Sequence, residues 1–113
     1  MVYQVKSGTI TIPTSDTVTA GTATEVLSGQ LASLMVNVPA MTGTGTATIL
    51  GTEAIGGTVY SSTAVNESAR ATVQPFGTPA FFEGTLWLTA TANGTQAAAV
   101  DITYNLYHAV KQG

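Results

Sequence analysis

Val100-Asp101-Ile102-Thr103-Tyr104-Asn105-Leu106-Tyr107 is the stretch on which the reading of the fold turns. Val100, Ile102, Tyr104 and Leu106 fall on one side of an extended chain, and Asp101, Thr103, Asn105 and Tyr107 on the other. Period-two alternation indicates a half-buried strand, because successive side chains of an extended backbone point to opposite faces. The pattern predicts a strand over Ala99 to Tyr107. Upstream, Thr85 to Ala92 repeats it, with Leu86, Leu88 and Ala90 inward and Trp87, Thr89 and Thr91 outward. Asn93-Gly94-Thr95-Gln96 lies between the two segments. Asn-Gly favours the tight turns that join antiparallel strands, so a hairpin is predicted here.

Along the rest of the chain, Thr, Val, Ile and Tyr favour strands while Gly, Asn and Pro punctuate them. Strands are predicted at Gly8–Ile12, Thr22–Leu27, Leu34–Val38, Gly45–Gly51 and Gly57–Ser61, with a weaker one at Arg70–Gln74. Leu34, Val36 and Val38 face inward, and Pro39 ends that strand because it has no N–H for a ladder. Gly56-Gly57 reads as a turn, Ala64–Ala71 as one helical turn, and Phe76–Phe82, with Pro75, Gly77 and Pro79, as an irregular loop. Seven or eight short strands in 113 residues predict an all-β, single-domain antiparallel β-sandwich or jelly roll; a small β-barrel is the alternative. One domain spans residues 1–113, with 1–7 a candidate N-terminal arm.

Only nine residues are charged, Lys6, Asp16, Glu25, Glu53, Glu67, Arg70, Glu83, Asp101 and Lys111, whereas Thr occurs 21 times. A surface of uncharged hydroxyls and amides has little electrostatic repulsion to keep copies apart. It suits a protein that works packed against neighbours. A net charge of −3 from three scattered cations cannot neutralise a run of phosphates, so no nucleic-acid partner is expected. No apolar run approaches the length of a membrane span, so no membrane association is expected. Met1-Val2-Tyr3-Gln4-Val5-Lys6 lacks the basic and apolar regions of a signal peptide, which predicts synthesis in a cytoplasm without export by a classical signal.

The search for chemistry predicts no enzyme, no cofactor and no metal. His108 is the single histidine and Cys is absent, which leaves zinc one ligand of the usual nitrogen or sulfur type. Asp101 and His108 have odd separation, so one strand points them to opposite faces, and no Ser sits in a nucleophile-elbow context. His108 reads as a surface or edge histidine. The six acids are scattered singly, with neither the clustered oxygens calcium needs nor a local pair for glycoside hydrolysis. Gly43-Thr44-Gly45-Thr46 lacks the Lys and the following helix of a phosphate loop. The aromatics point to contact instead. Trp87 and Tyr107 fall on outward faces and are candidate anchors for a protein partner, or a platform for a sugar ring. Tyr3, Val5, Phe81 and Phe82 complete the candidate contact set.

Several segments together resemble a known class. They are Ser7-Gly8-Thr9-Ile10-Thr11-Ile12, Leu31-Ala32-Ser33-Leu34-Met35-Val36-Asn37-Val38-Pro39, and Phe82-Glu83-Gly84-Thr85-Leu86-Trp87-Leu88-Thr89-Ala90 followed by the strand quoted first. In pattern and composition they look like the small β-sandwich virion proteins of tailed bacteriophages, in particular capsid decoration or cement proteins. The resemblance implies a location on the capsid surface, the major capsid protein as partner, homotrimers, and a role in stabilising the shell. A tail, neck or fibre component and a carbohydrate-binding or adhesion module are the alternatives. The segment Tyr3-Gln4-Val5-Lys6 is the part that would add a strand to a neighbour's sheet.

Overall fold

The chain is all-β. The computed structural model describes residues 2–14, 19–42, 45–53, 57–75 and 81–110, with the backbone alone at residues 2, 3, 27, 81 and 82. Its strands are β1 (Val2–Ile12), β2 (Ala20–Val38), β3 (Thr46–Glu53), β4 (Thr58–Ser61), β5 (Val65–Asn66), β6 (Ala69–Val73), β7 (Phe81–Ala92) and β8 (Val100–Val110). They form one antiparallel sheet in the order β1-β8-β2-β7-β3-β4, with β5 paired to β3 and β6 to β2.

Strand β2 makes this sheet sandwich-like. Its first part, Ala20–Gln30, pairs with β7; its second part pairs with β8 over Gln30–Asn37 and with β6 over Leu34–Val38. Between the two parts the register shifts at Leu31/Leu34, and Gly29 adopts φ 127°, a left-handed conformation that residues with a Cβ avoid. Tyr104 on β8 lies opposite Val36, and the Tyr104 hydroxyl donates a hydrogen bond to the Glu25 carboxylate. A straight strand would separate Glu25 from Val36 by roughly 36 Å. The hydrogen bond therefore requires β2 to double back, bringing the β2–β7–β3 layer over the β1–β8–β2–β6 layer.

Inward positions of both layers merge into one core that includes Ile10, Ile12, Leu34, Val36, Ile49, Leu86, Leu88, Ile102 and Leu106. The inward assignments of Leu34, Val36, Val38, Leu86, Leu88, Ala90, Val100, Ile102, Tyr104 and Leu106 all correspond to buried residues. Tyr60, fully buried, donates its hydroxyl to the Ala32 carbonyl at 3.2 Å, inside the irregular part of β2. A bridge between Tyr60 and Pro75 brings the chain leaving β6 against β4, so the sheet approaches closure on its far side.

Four local expectations differ from the structure. β7 and β8 do not form a hairpin. They flank β2 on opposite sides, and the connection between them passes from one layer to the other. Asn93 is tied to the start of β3, where its amide donates to the Thr46 carbonyl at 2.9 Å and its side-chain oxygen accepts from the Thr46 amide at 3.2 Å. The segment predicted as a helical turn is instead two short strands joined by a tight turn, β5 pairing with β3 and β6 with β2. Ser68 takes φ 55° there, and the Glu67 carboxylate accepts from the Met41 and Gly45 amides at 3.2 and 3.1 Å. Residues 2–7 are not a free arm, since β1 pairs with β8 from Val2↔Val110 onward. Phe81 and Phe82 open β7 rather than closing a loop, whereas Phe76 and the Gly56 turn position lie outside the described residues. The strands predicted at Thr22–Leu27 and Leu34–Val38 are two parts of β2.

Two glycines are required by contact. A Cβ on Gly8 would lie 2.6 Å from Cζ of Tyr104, so the bare backbone of β1 gives that ring its seat. A Cβ on Gly21 would lie 2.6 Å from the Thr11 carbonyl carbon, where the end of β1 meets the start of β2. Gly21→Ala is expected to cost about 1–3 kcal/mol of stability in chemical denaturation, as overpacking against rigid backbone does. Gly94→Ala, with open space around the new methyl, is expected to stay within about 0.5 kcal/mol of the parent.

Burial pushes the phenols of Tyr60 and Tyr104 well above the ordinary tyrosine range; for Tyr104 the hydrogen bond to Glu25 and its negative charge add to the effect. The folded chain thus holds these protons more tightly than the unfolded chain does. Their contribution is intact below the unfolded value of about 10 and is lost as pH rises above it. Melting temperature should fall steeply as pH rises beyond about 10. The fall should be shallower in a Tyr60→Phe, Tyr104→Phe double variant, whatever its stability at neutral pH.

Candidate functional site

The outward positions of the second layer form a face with a distinct chemistry. Pairing places Thr22, Thr24 and Val26 of β2 opposite Thr89, Trp87 and Thr85 of β7. On the other side of β7, Thr48, Leu50 and Thr52 of β3 oppose Thr91, Thr89 and Trp87. These ten side chains include seven threonines and no charge. The face is a consequence of period two: inward Leu86, Leu88, Ala90 and Ile49 alternate with outward hydroxyl-bearing residues. Trp87 is half-buried between Thr24 and Thr52, while Val26 and Leu50 are 70% and 40% exposed. Thr22 and Thr89 share a hydrogen bond between hydroxyls at 3.1 Å, so part of the hydroxyl row is already oriented. Threonine at 85, 89 and 91, alternating around Trp87, and at 22 and 24 was the available signal for this face, but it needed the β2–β7–β3 pairing to become a surface.

The outward face of the first layer is more polar. Ser7 donates to Asn105 at 2.7 Å and Thr11 to Asp101 at 2.8 Å across the β1–β8 pair. Beside them, Arg70, Asn37 and Thr103 lie in one cross-strand row over β6, β2 and β8. Val5, 51% exposed, sits directly opposite half-buried Tyr107.

The candidate contact residues are thus divided between two places. Trp87 stands in the second layer; Tyr107 and Val5 stand on the far part of β8 and β1. β2 separates β7 from β8, and Trp87 is six residues along β7 from Phe81, which lies opposite Gln30 and, through it, Ala109. That offset is roughly 20 Å, so Trp87 and Tyr107 do not form one sugar-stacking platform. Tyr3 pairs with Ala109, and Phe81 and Phe82 with Gln30 and Gly29; their side chains lie outside the described residues.

His108 is 2% exposed on the inward side, not at the surface as expected from its place near the strand end. β8 continues past it to Val110, and Leu31 covers it across the β2 pair. Its Nδ1 lies 3.1 Å from the Ser28 carbonyl, an acceptor only, so Nδ1 carries the hydrogen and donates. Nε2 is buried without a partner. Asp101 is exposed on the opposite face, where it accepts from Thr11, so no Asp–His relay is assembled. Among the described residues no three His, Asp or Glu side chains converge as metal ligands, and no helix is long and apolar enough to cross a membrane.

Glu25 was missed by sequence reading as an inward carboxylate. Its position between Thr24 and Val26 gives the right parity, but its partner Tyr104 comes from the other layer. No protein-family model matches the chain, and no curated protein matches it in sequence.

Proposed function

We propose that this chain is a structural protein of a bacteriophage virion, acting as a capsid decoration protein that seats on the outer surface of the major capsid protein and stabilises the shell. The observation that carries the reading is the uncharged threonine face of β2, β7 and β3, with Trp87 at its centre and exposed Val26 and Leu50 beside it. A flat face of this kind needs no desolvation of charge on docking and offers hydroxyls that can bond to a neighbour's backbone.

Its size argues for a repeating partner. Seven residues along β7 by three strands make a patch of roughly 20 by 15 Å, or about 300 Å². A stable one-to-one complex buries about 800 Å² on each partner. One such patch is too small to hold alone, whereas copies linked as a trimer over a lattice add their weak contacts. The few charges of the chain favour that crowding. In this reading the protein carries no catalysis and no cofactor, and it reaches the virion from the host cytoplasm.

Quantitative mass spectrometry of purified particles tests the proposal. The chain is expected at a fixed, high ratio to the major capsid protein, and particles lacking it should lose their DNA at lower temperature. Trp87→Ala should reduce occupancy of the particle about tenfold or more while the free chain stays folded. Absence from particles would overturn the reading, and a few copies confined to the tail would replace it with a tail, neck or fibre role.

A further inference from the structure

The polar face of the first layer contains a groove of about 200 Å³, lined by Met35, Asn37, Arg70, Thr103 and Asn105 together with the backbone at Val36 and Tyr104, whose side chains are buried in the core. Arg70 is the only arginine of the chain. Among the described residues no carboxylate pairs with it, and it makes no hydrogen bond there. The nearest outward acid along this face, Asp101, is engaged by Thr11. Asn37 lies directly beside Arg70 in the pairing of β2 with β6, and Thr103 beside Asn37 in that of β2 with β8. Asn105 is oriented by Ser7, whose hydroxyl donates to Oδ1, and this leaves the Asn105 amide nitrogen free to donate.

Every unengaged group in the groove can therefore donate: a guanidinium, two side-chain amides and a hydroxyl. We infer that this groove is a binding site for the carboxylate of an acidic side chain presented by a protein partner. The guanidinium fork matches a carboxylate with two parallel hydrogen bonds, and the flanking amides take up its remaining lone pairs. Competing ligands fit less well. A nucleic acid or other polyphosphate needs several cations, and this face offers one on an acidic chain. A sugar ring needs an aromatic face, and Tyr104 turns its ring into the core. The volume is below the roughly 300 Å³ of small-molecule pockets and suits a single side chain. Met35 provides an apolar wall for the methylenes leading to the carboxylate. The groove's own atoms carry this assignment, independently of any virion role.

The test uses the full chain, labelled with ¹⁵N, at low ionic strength. N-acetyl-glutamate N-methylamide is titrated while the side-chain signals of Arg70, Asn37 and Asn105 are followed by NMR; the neutral glutamine analogue, glucuronate and inorganic phosphate are run in parallel. Saturable shifts confined to these three residues are expected with the glutamate probe, at a Kd on the order of millimolar, the scale of one charge-assisted contact. The glutamine analogue should bind at least about fivefold more weakly. Arg70→Gln should weaken the glutamate probe at least about tenfold, and Asn37→Ala by a smaller factor, in chains whose remaining spectra are unchanged. No saturable shift up to about 50 mM, equal binding of the two analogues, or tighter binding of glucuronate or phosphate would overturn the assignment.

Discussion

The hydrogen bond between Tyr104 and Glu25 marks the constraint on which the rest of the molecule depends: β2 must serve both layers. A single strand that pairs with β7 along one part and with β8 and β6 along the other has to bend sharply between them. Gly29 supplies the backbone conformation, and the irregularity at Leu31/Leu34 supplies the change of register. Bulges and left-handed glycines raise local twist and coiling, which lets a continuous sheet fold over itself. The Tyr60 hydroxyl then meets the Ala32 carbonyl, which would otherwise sit in the bend without a ladder partner.

With the layers set face to face, period two distributes the chemistry. Inward residues are almost wholly aliphatic, so the outward residues carry nearly all the polar character. The two outward faces nevertheless differ. One is threonine around a tryptophan, with no charged side chain between Thr85 and Thr91; the other carries the arginine, Asn37, Asn105 and an aspartate. A protein with nine charged residues has little to spend on general solubility, and their position is correspondingly informative. The neutral face fits broad, shallow contact, and the polar face fits recognition of a specific group.

Strand identity and facing were legible wherever alternation ran unbroken. β8, the second part of β2 and β7 show it, because burial of one sheet face leaves a direct imprint on every second residue. Connectivity was not. Asn93-Gly94 is a local turn signal, but which strands pair is decided by packing between layers, and there β2 displaces β7 as the neighbour of β8. Ser68 and Glu67 resemble the start of a helical turn until Met41 and Gly45 are brought within reach of the carboxylate. His108 looked peripheral because Ala109 and Val110 carry no alternation of their own, yet pairing with β1 carries the strand through both of them. The three strips of the threonine face, 22–26, 48–52 and 85–91, are separated by long stretches of chain and become one surface only after β2 and β3 close on β7.

The placement of β8 has a consequence for how the molecule comes into being. β1 has no sheet neighbour among the described residues other than β8, and the second part of β2 has β8 along one whole side. β1 thus waits for β8, about a hundred positions further along the chain, before its ladder can form, with Ile10 and Ile12 uncovered in the meantime. Pairings of such long range form slowly and reward the chain only at the end. A copy whose β8 has not docked would expose apolar surface and open strand edges together, the combination that drives misassembly. Commitment to the native state waits on the docking of β8, and chains in which β8 has not yet docked are the ones at risk when they meet one another.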